Sequence, residues 1–161
     1  MRSLIAIAIP SGGLMGVEQE AAVLAFMAEL EGEYLDTARV ERAVGRMASD
    51  ARYHVHAWEE PFVGHDAIRA EFLRQGAGMS DLRLEILTIG SVGQIVLTER
   101  LDSLIVNAKS LTAHVAGVFE VDAAGNIAVW RDEAQRGAQS GNCSQRKDPA
   151  AVQSCRAHPK G

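Results

Sequence analysis

The sequence has only two cysteines, no excess of positive charge and no long apolar run, and each of these absences excludes a class of protein. Cys143 and Cys155 both lie in the last segment, so they are poor candidates for a nucleophile or a complete metal site. The sequence does not decide whether the two cysteines form a disulfide. The formal net charge of -5 gives no electrostatic reason to bind nucleic acid. No segment approaches the roughly 20 apolar residues that span a bilayer, so no membrane partner is expected.

Signatures of several common enzyme classes are also missing. The chain has no internal repeat, no glycine loop that would cradle a phosphate, no nucleophile elbow and no paired-histidine metalloprotease motif. What it does have is a hydrophobic fraction of 47% over 161 residues. A chain of this size and composition can bury the core of one compact domain without metal or disulfide staples.

The two ends of the chain differ from the part between them. Residues 1–15 carry one positive charge and a short apolar run that stops at Pro10, which superficially suggests a secretory signal. We favour the simpler interpretation that this segment is an extension before a functional start at Met15 and that the protein is cytoplasmic. Residues 136–161 contain no Leu, Ile, Phe, Tyr or Trp, so they are predicted to form a flexible polar tail.

Three helices are predicted in the first half of the chain. Apolar residues recur at helical spacing over residues 17–30, with glutamates available for the solvent face. Asp36 or Thr37 can cap a second helix, which is predicted to end near Asp50. Residues 65–75 form a third apolar stripe at helical spacing and predict the third helix.

Five strands complete the predicted domain. The first covers residues 51–57 and places Tyr53 and Val55 on one face by simple alternation. The other four follow one another with short turns between them, which indicates an antiparallel meander; they cover residues 82–89, 94–106, 110–121 and 126–132. Three helices and such a sheet make an α+β domain, in which a curved sheet wraps the helices and its concave side encloses a pocket.

Charged residues on two of these strands are the candidates for chemistry. Alternation places Arg100 and Asp102 on one face of a strand, and Trp130 and Asp132 on one face of the last strand. Each pair alone is more typical of a surface ion pair or a turn residue. Adjacent meander strands, however, could bring the two aspartates to opposite sides of the guanidinium. Two carboxylates in an apolar cavity can then take opposite protonation states, one as a base and the other as an acid.

Three short motifs and their spacing resemble the limonene-1,2-epoxide hydrolase family. The motifs are Leu-Thr-Glu-Arg-x-Asp at 97–102, Gly-Val-Phe at 117–119 and Trp-Arg-Asp at 130–132. Tyr53, followed by the Gly64 loop and the third helix, matches the upstream part of the same pattern. The resemblance covers residues 17–133, and the combination is far more specific than any one motif. With it, we expect the family domain to occupy residues 16–135.

This resemblance implies a function as well as a fold. The function is a one-step addition of water to a small or medium apolar epoxide, giving a vicinal diol without metal or other cofactor. Asp132 matches the general base, Asp102 the general acid, Arg100 the residue that links them, and Tyr53 a residue that holds the water.

The resemblance also implies an architecture and a pocket. The family fold is the cone-shaped NTF2-like fold, with three N-terminal helices packed in a curved mixed or antiparallel sheet, and it is usually dimeric, so a homodimer is expected. The pocket positions that follow from the resemblance are Val55, Leu104, Val118 and Trp130.

The chain departs from the family at two places. Val55 stands where the family has an asparagine that also holds the water. His54 or His56 would replace it if a bulge rotated the strand, although alternation points both away from Tyr53. After Asp132 the family continues with aromatic residues and a closing helix, whereas this chain enters its polar tail. A more open pocket and an impaired activity are both compatible with that change.

Three other interpretations compete with epoxide hydrolysis. A SnoaL-like cyclase or isomerase would need one aspartate that handles a proton beside a carbonyl. A binding module without activity would hold an apolar small molecule in the same cavity. A metal site would draw on the side chains that carry imidazole or carboxylate near the first strand, which are His54, His56, Glu59, Glu60 and His65. Solvated histidines on an outer strand face are the simpler interpretation, and we expect no metal.

Overall fold

Helices dominate the first half of the chain and strands the second half, in the order that the sequence predicts. A computed structural model describes residues 15–56 and 58–136. The helices in this part are α1 (Met15–Leu30), α2 (Thr37–Val44) and α3 (Gly64–Gly76). The strands are β1 (Met47–His54), β2 (Phe62–Val63), β3 (Met79–Val92), β4 (Ile95–Val106), β5 (Lys109–Val121) and β6 (Ile127–Arg136). The α+β class is therefore confirmed.

The predicted end segments fall almost entirely outside the described residues. The exceptions are Met15, which begins α1, and Arg136, which ends β6. The two cysteines also lie outside this part of the chain. Within residues 15–56 and 58–136, no helix is long and apolar enough to cross a membrane.

All six strands belong to one mixed sheet, in the order β2-β1-β6-β5-β4-β3. The strands β3 to β6 form the predicted antiparallel meander. The first strand, β1, adds parallel to β6, with Tyr53 opposite Trp130. The sequence analysis missed β2, which has only two residues, both exposed, and pairs with β1. Because β1 joins at β6, Tyr53 lies beside the last strand of the meander.

The second helix is shorter than predicted. Asp36 caps it as expected, because its side chain accepts a hydrogen bond of 2.9 Å from the backbone N–H of Arg39. The helix ends at Val44, and Met47 already begins β1, so the predicted end near Asp50 is wrong. Met47 follows Val44 by three residues and fits a helical stripe, but it is buried in the sheet opposite Ile127.

The core lies between the helices and one face of the sheet. Trp130 is at the centre of an aromatic cluster, with ring centroids 5.2 Å from Phe26 and 5.7 Å from Phe119. Tyr53 stacks on the same indole at 4.5 Å. Phe72 of α3 packs edge-on against both Tyr53 and Trp130. This cluster fixes β6 and β1 against the helices, and Asp132 follows Trp130 by two residues on the same face of β6.

Candidate active site

A glycine on β5 makes room for the central charged group of the site. Gly117 pairs with Thr98 of β4 on one side and with Asp132 of β6 on the other. A Cβ atom at Gly117 would lie only 2.6 Å from Nη1 of Arg100 and 2.6 Å from Oγ1 of Thr98. Arg100 therefore extends from β4 across β5 at the one position where no side chain obstructs it, and so reaches β6.

The guanidinium of Arg100 binds both aspartates. Its Nε donates to Oδ1 of Asp102 at 2.8 Å, and its Nη2 donates to Oδ2 of Asp102 at 3.2 Å. On the other side, Nη1 donates to Oδ1 of Asp132 at 3.1 Å, and Nη2 also donates to Oδ2 of Asp132. Each carboxylate thus receives two hydrogen bonds from the planar fork, which fixes its orientation. The structure brings these three predicted residues together.

The three side chains of this triad are largely buried, and two of them are acidic while only one is basic. The Arg100 side chain is 1% exposed, and those of Asp102 and Asp132 are 16% and 14% exposed. One cation faces two carboxylates, so a single retained proton would neutralise the group. Burial, with a smaller effect from the negative charge of Asp132, raises the pKa of Asp102, while Arg100 opposes that change. The carboxyl group of Asp102 therefore keeps its proton to a higher pH than a free aspartate does.

Among the described residues, Asp132 accepts a hydrogen bond from a donor that does not bind Asp102. The indole Nε1 of Trp130 donates to Oδ1 of Asp132 at 2.7 Å. Together with the two bonds from Arg100, this contact stabilises negative charge on the carboxylate. The two aspartates of the triad therefore have different surroundings, although they share one arginine.

Tyr53 is a neutral donor and acceptor beside the triad. Its side chain is buried, and burial raises the pKa of its hydroxyl, with further contributions from the charges of Asp132 and Glu71. The phenol therefore stays protonated over the range in which enzymes work. Nε2 of Gln75 lies 3.3 Å from the Tyr53 hydroxyl oxygen and donates to it.

Gln75 was missed by the sequence analysis. It is the second-last residue of α3 and donates from Nε2 to Oε1 of Glu71 at 2.7 Å. Arg74 closes the same small network, with Nε 2.7 Å and Nη2 2.6 Å from the Glu71 carboxylate. The only signal in the sequence is the spacing of four residues between Glu71 and Gln75, which places both on one face of the helix. That this face meets Tyr53 is a tertiary fact.

The triad, Tyr53 and Gln75 open into one cavity of about 160 Å³. Its remaining wall is apolar and comes from α1, α3, β3, β4, β6 and the segment before α2. These residues are Leu30, Leu35, Phe72, Met79, Leu82, Leu84, Leu104 and Trp130. A few convergent polar groups in an otherwise apolar pocket are typical of a small-molecule site. Chemically, the arrangement offers a proton donor, a proton acceptor and a buried cation that holds both.

Comparison with known proteins identifies the family of the chain. A model of the limonene-1,2-epoxide hydrolase catalytic domain matches residues 17–135 of the chain. The chain belongs to the limonene-1,2-epoxide hydrolase family. A curated relative, epoxide hydrolase EphG of Mycobacterium tuberculosis, is 39% identical over 116 residues, which are 69% of each protein. The family and this relative make the chain an epoxide hydrolase.

Solved structures support the same fold. An epoxide hydrolase of the limonene-1,2-epoxide hydrolase type from M. tuberculosis superposes with a TM-score of 0.63 at 28% identity, covering 75% of this chain and 85% of that one. A protein from Catenulispora acidiphila with the ketosteroid isomerase-like fold superposes with a TM-score of 0.60 at 18% identity. It covers 70% of this chain and 83% of that one, and it indicates the fold alone.

Two of the four pocket positions that the family resemblance implied are in the cavity wall, and two are not. Leu104 and Trp130 line the cavity. The prediction for Val118 is wrong, because its neighbours Gly117 and Phe119 face inward and alternation turns Val118 to the outer face of β5. The prediction for Val55 is also wrong. The first strand ends at His54, and Val55 packs against the core instead of lining the cavity.

The three histidines considered for a metal site in this epoxide hydrolase have local partners. Nδ1 of His54 lies 3.0 Å from the backbone oxygen of Glu59, and the ring of His56 stacks on Trp58 at 5.0 Å. Nε2 of His65 lies 3.0 Å from the backbone oxygen of Met47. Neither His54 nor His56 belongs to the cavity wall. In the part of the chain that the structure describes, no group of three or more His, Cys, Asp or Glu residues is placed to hold a metal ion.

Proposed function

We propose that the protein adds water to a small apolar epoxide in a single step and releases a vicinal diol. The observation that carries this proposal is the double fork of Arg100, which holds Asp102 and Asp132 on either side of one buried cation. A strained three-membered ring opens when a nucleophile attacks carbon while an acid protonates the leaving oxygen. The two carboxyl groups supply these two functions.

The roles follow from the different surroundings of the aspartates. Asp132, which accepts hydrogen bonds from Arg100 and Trp130, takes a proton from a water molecule. The water oxygen forms a bond to one epoxide carbon, and the carbon–oxygen bond of the ring breaks. Asp102, whose pKa is raised, donates its proton to the departing oxygen. The diol contains all atoms of the epoxide and the water, and the proton left on Asp132 returns to Asp102 before the next cycle.

The cavity favours a small and apolar substrate. Its volume of about 160 Å³ is below the range of roughly 300–1,000 Å³ typical for drug-sized ligands. Apart from the triad, Tyr53 and Gln75, its described wall consists of apolar side chains. A monocyclic or short-chain epoxide matches this size and polarity better than a long lipid epoxide. A single-base cyclase or isomerase would leave the second carboxyl group of the triad without a function.

Purified protein should form diols from limonene oxide, styrene oxide or cyclohexene oxide, while the Asp132→Asn variant should not. This variant keeps the size of the side chain but cannot accept the proton of the water. Diol formation that disappears in the variant would support the proposal and its base. Binding of these epoxides without diol formation by the unaltered protein would contradict it and would favour the ligand-binding alternative.

A cytoplasmic location stays a prediction.

We also propose that the protein forms a homodimer. Ile95 and Leu97 lie on the outer face of β4 with 41% and 49% of their surface exposed. Neighbouring apolar side chains on a sheet face are typical of an interaction surface. The molar mass from light scattering at micromolar concentration tests this: twice the chain mass supports a dimer, and a single chain mass contradicts it.

A further inference from the structure

Gln75 is a polar residue of the cavity wall that has no role in the reaction described above. It is half-buried near the end of α3 and lines the same cavity as Asp132 and Tyr53. Its side chain is a carboxamide, which has two hydrogens on Nε2 and an acceptor oxygen, Oε1. What Gln75 does depends on which of these atoms faces the cavity.

The buried carboxylate of Glu71 decides the orientation of the carboxamide. The Glu71 side chain is 3% exposed, and Arg74 lowers the pKa of its carboxyl group, so it is ionised and only accepts hydrogen bonds. Gln75 must therefore present Nε2 to it, and the distance of 2.7 Å fits that bond. The same nitrogen donates to the Tyr53 hydroxyl oxygen at 3.3 Å. Both hydrogens of Nε2 are used, and Oε1 is left to accept from another donor.

The hydroxyl of Tyr53 is oriented by the same contact. Because its oxygen accepts from Gln75, its own hydrogen is available to donate into the cavity. The amide oxygen of Gln75, the hydroxyl of Tyr53 and the carboxylate of Asp132 belong to residues that line one cavity. This is the set of contacts that a single water molecule can satisfy.

We propose that Oε1 of Gln75 binds the water molecule that attacks the epoxide. In this arrangement the water donates one hydrogen to Asp132 and the other to Gln75, and it accepts a hydrogen bond from Tyr53. One lone pair on the water oxygen remains for the epoxide carbon. Gln75 thus acts as a catalytic residue in contact with the reacting water, and Glu71 acts as the positioning residue that orients its carboxamide. The inference rests on the proposed hydrolysis.

The departure from the family at position 55 fits this assignment. Val55 has no polar side-chain atom and packs against the core, so it supplies no contact to a water in the cavity. The carboxamide of Gln75 enters the same cavity from α3 instead, next to Tyr53. In this chain, the amide contact to water is therefore supplied by a helix and not by the segment after β1.

The test compares Gln75→Met, which has nearly the same length but no amide, with Glu71→Gln and with the double variant. Gln75→Met should lower kcat about 10- to 100-fold, because one hydrogen bond to the attacking water is lost. KM for cyclohexene oxide should change less than about threefold, since an apolar substrate makes no polar contact to lose.

Glu71→Gln should lower kcat as well, and the double variant should be no slower than Gln75→Met alone. Gln94→Leu, at an exposed position in the turn between β3 and β4, is the control and should behave like the unaltered protein.

The outcomes separate this inference from the proposed function. Diol formation by the unaltered protein together with a kcat for Gln75→Met within about twofold of it would overturn the role of Gln75 and leave the hydrolysis standing. No diol from the unaltered protein with any of the three epoxides would overturn both. If Gln75→Met does not fold, Gln75→Leu decides the question: an unchanged kcat overturns the inference, and a lower kcat with an unchanged KM supports it.

Discussion

Gly117 lies directly under the guanidinium of Arg100, at a position where a single added methyl group would be 2.6 Å from Nη1. This close approach explains how a side chain from β4 reaches a carboxylate on β6 across an intervening strand. The glycine is therefore part of the site although it has no side chain to contribute.

The Gly117→Ala variant should lose most of its activity. The new methyl group displaces Arg100, and a displacement of about 1 Å in a catalytic group can cost about 100-fold in rate. Overpacking should also lower the free energy of unfolding by about 1–3 kcal/mol. The measurements are kcat/KM and urea unfolding. Gly90→Ala is the matched control, because a Cβ at Gly90 meets no atom within 4 Å. Equal behaviour of the two variants would refute the account of Gly117.

The Arg100→Lys variant keeps the positive charge but should be about 100-fold slower in kcat. A lysine ammonium is a point charge and cannot form the four hydrogen bonds of the planar fork, so the two carboxylates lose their fixed orientation. Arg83→Lys, an exposed position on β3, serves as the control. A variant at position 100 that retains the kcat of this control would show that charge alone suffices.

The pH dependence of stability should reveal the proton on Asp102. The pKa of Asp102 in the folded protein lies above 3.8, its ordinary value. At a pH between the pKa of the unfolded chain and that of the folded protein, the folded protein therefore holds a proton that the unfolded chain has released. Stability therefore falls as pH rises through this window. Asp102→Asn removes this proton exchange. The stability of the variant relative to the unaltered protein should increase as pH rises through the window and become constant above it. Urea unfolding at a series of pH values gives this difference, and a constant difference contradicts the assignment.

Trp130→Phe should lower kcat about 10-fold. It should also lower stability, because the smaller ring leaves a cavity in the aromatic cluster. Phenylalanine keeps an aromatic ring for the cluster around Phe26 and Tyr53 but loses the N–H that donates to Asp132 at 2.7 Å. A hydrogen bond to a charged group contributes about 1.5–3 kcal/mol. Steady-state kinetics and thermal unfolding of the same preparation separate the two effects. If stability fell while kcat stayed within about twofold of the unaltered protein, the role of Trp130 would be packing alone.

Local patterns in the sequence were sufficient for most of the fold. The helices α1 and α3 and the meander β3 to β6 have clear periodicity, and alternation places Arg100 and Asp102 on one face. Val118 could have been assigned correctly by the same rule, because it lies between Gly117 and Phe119, which face inward.

Contacts between distant parts of the chain were beyond the reach of sequence patterns. The parallel pairing of β1 with β6 joins residues far apart in sequence, and it places Tyr53 beside Trp130. Met47 fits a helical stripe as well as a strand, so the end of α2 was misplaced. Gln75 was missed because only the packing of α3 against β1 brings its carboxamide to the Tyr53 hydroxyl.

The central claim is that water attacks the epoxide directly while the carboxylates only transfer protons. A single turnover with enzyme in excess over epoxide, in water labelled with ¹⁸O, tests it most directly. Direct attack predicts one ¹⁸O atom in the diol from the first turnover and no label in the peptides that contain Asp102 and Asp132. Unlabelled diol in the first turnover, with ¹⁸O in one of these carboxylates, would reveal a covalent ester intermediate and contradict the account.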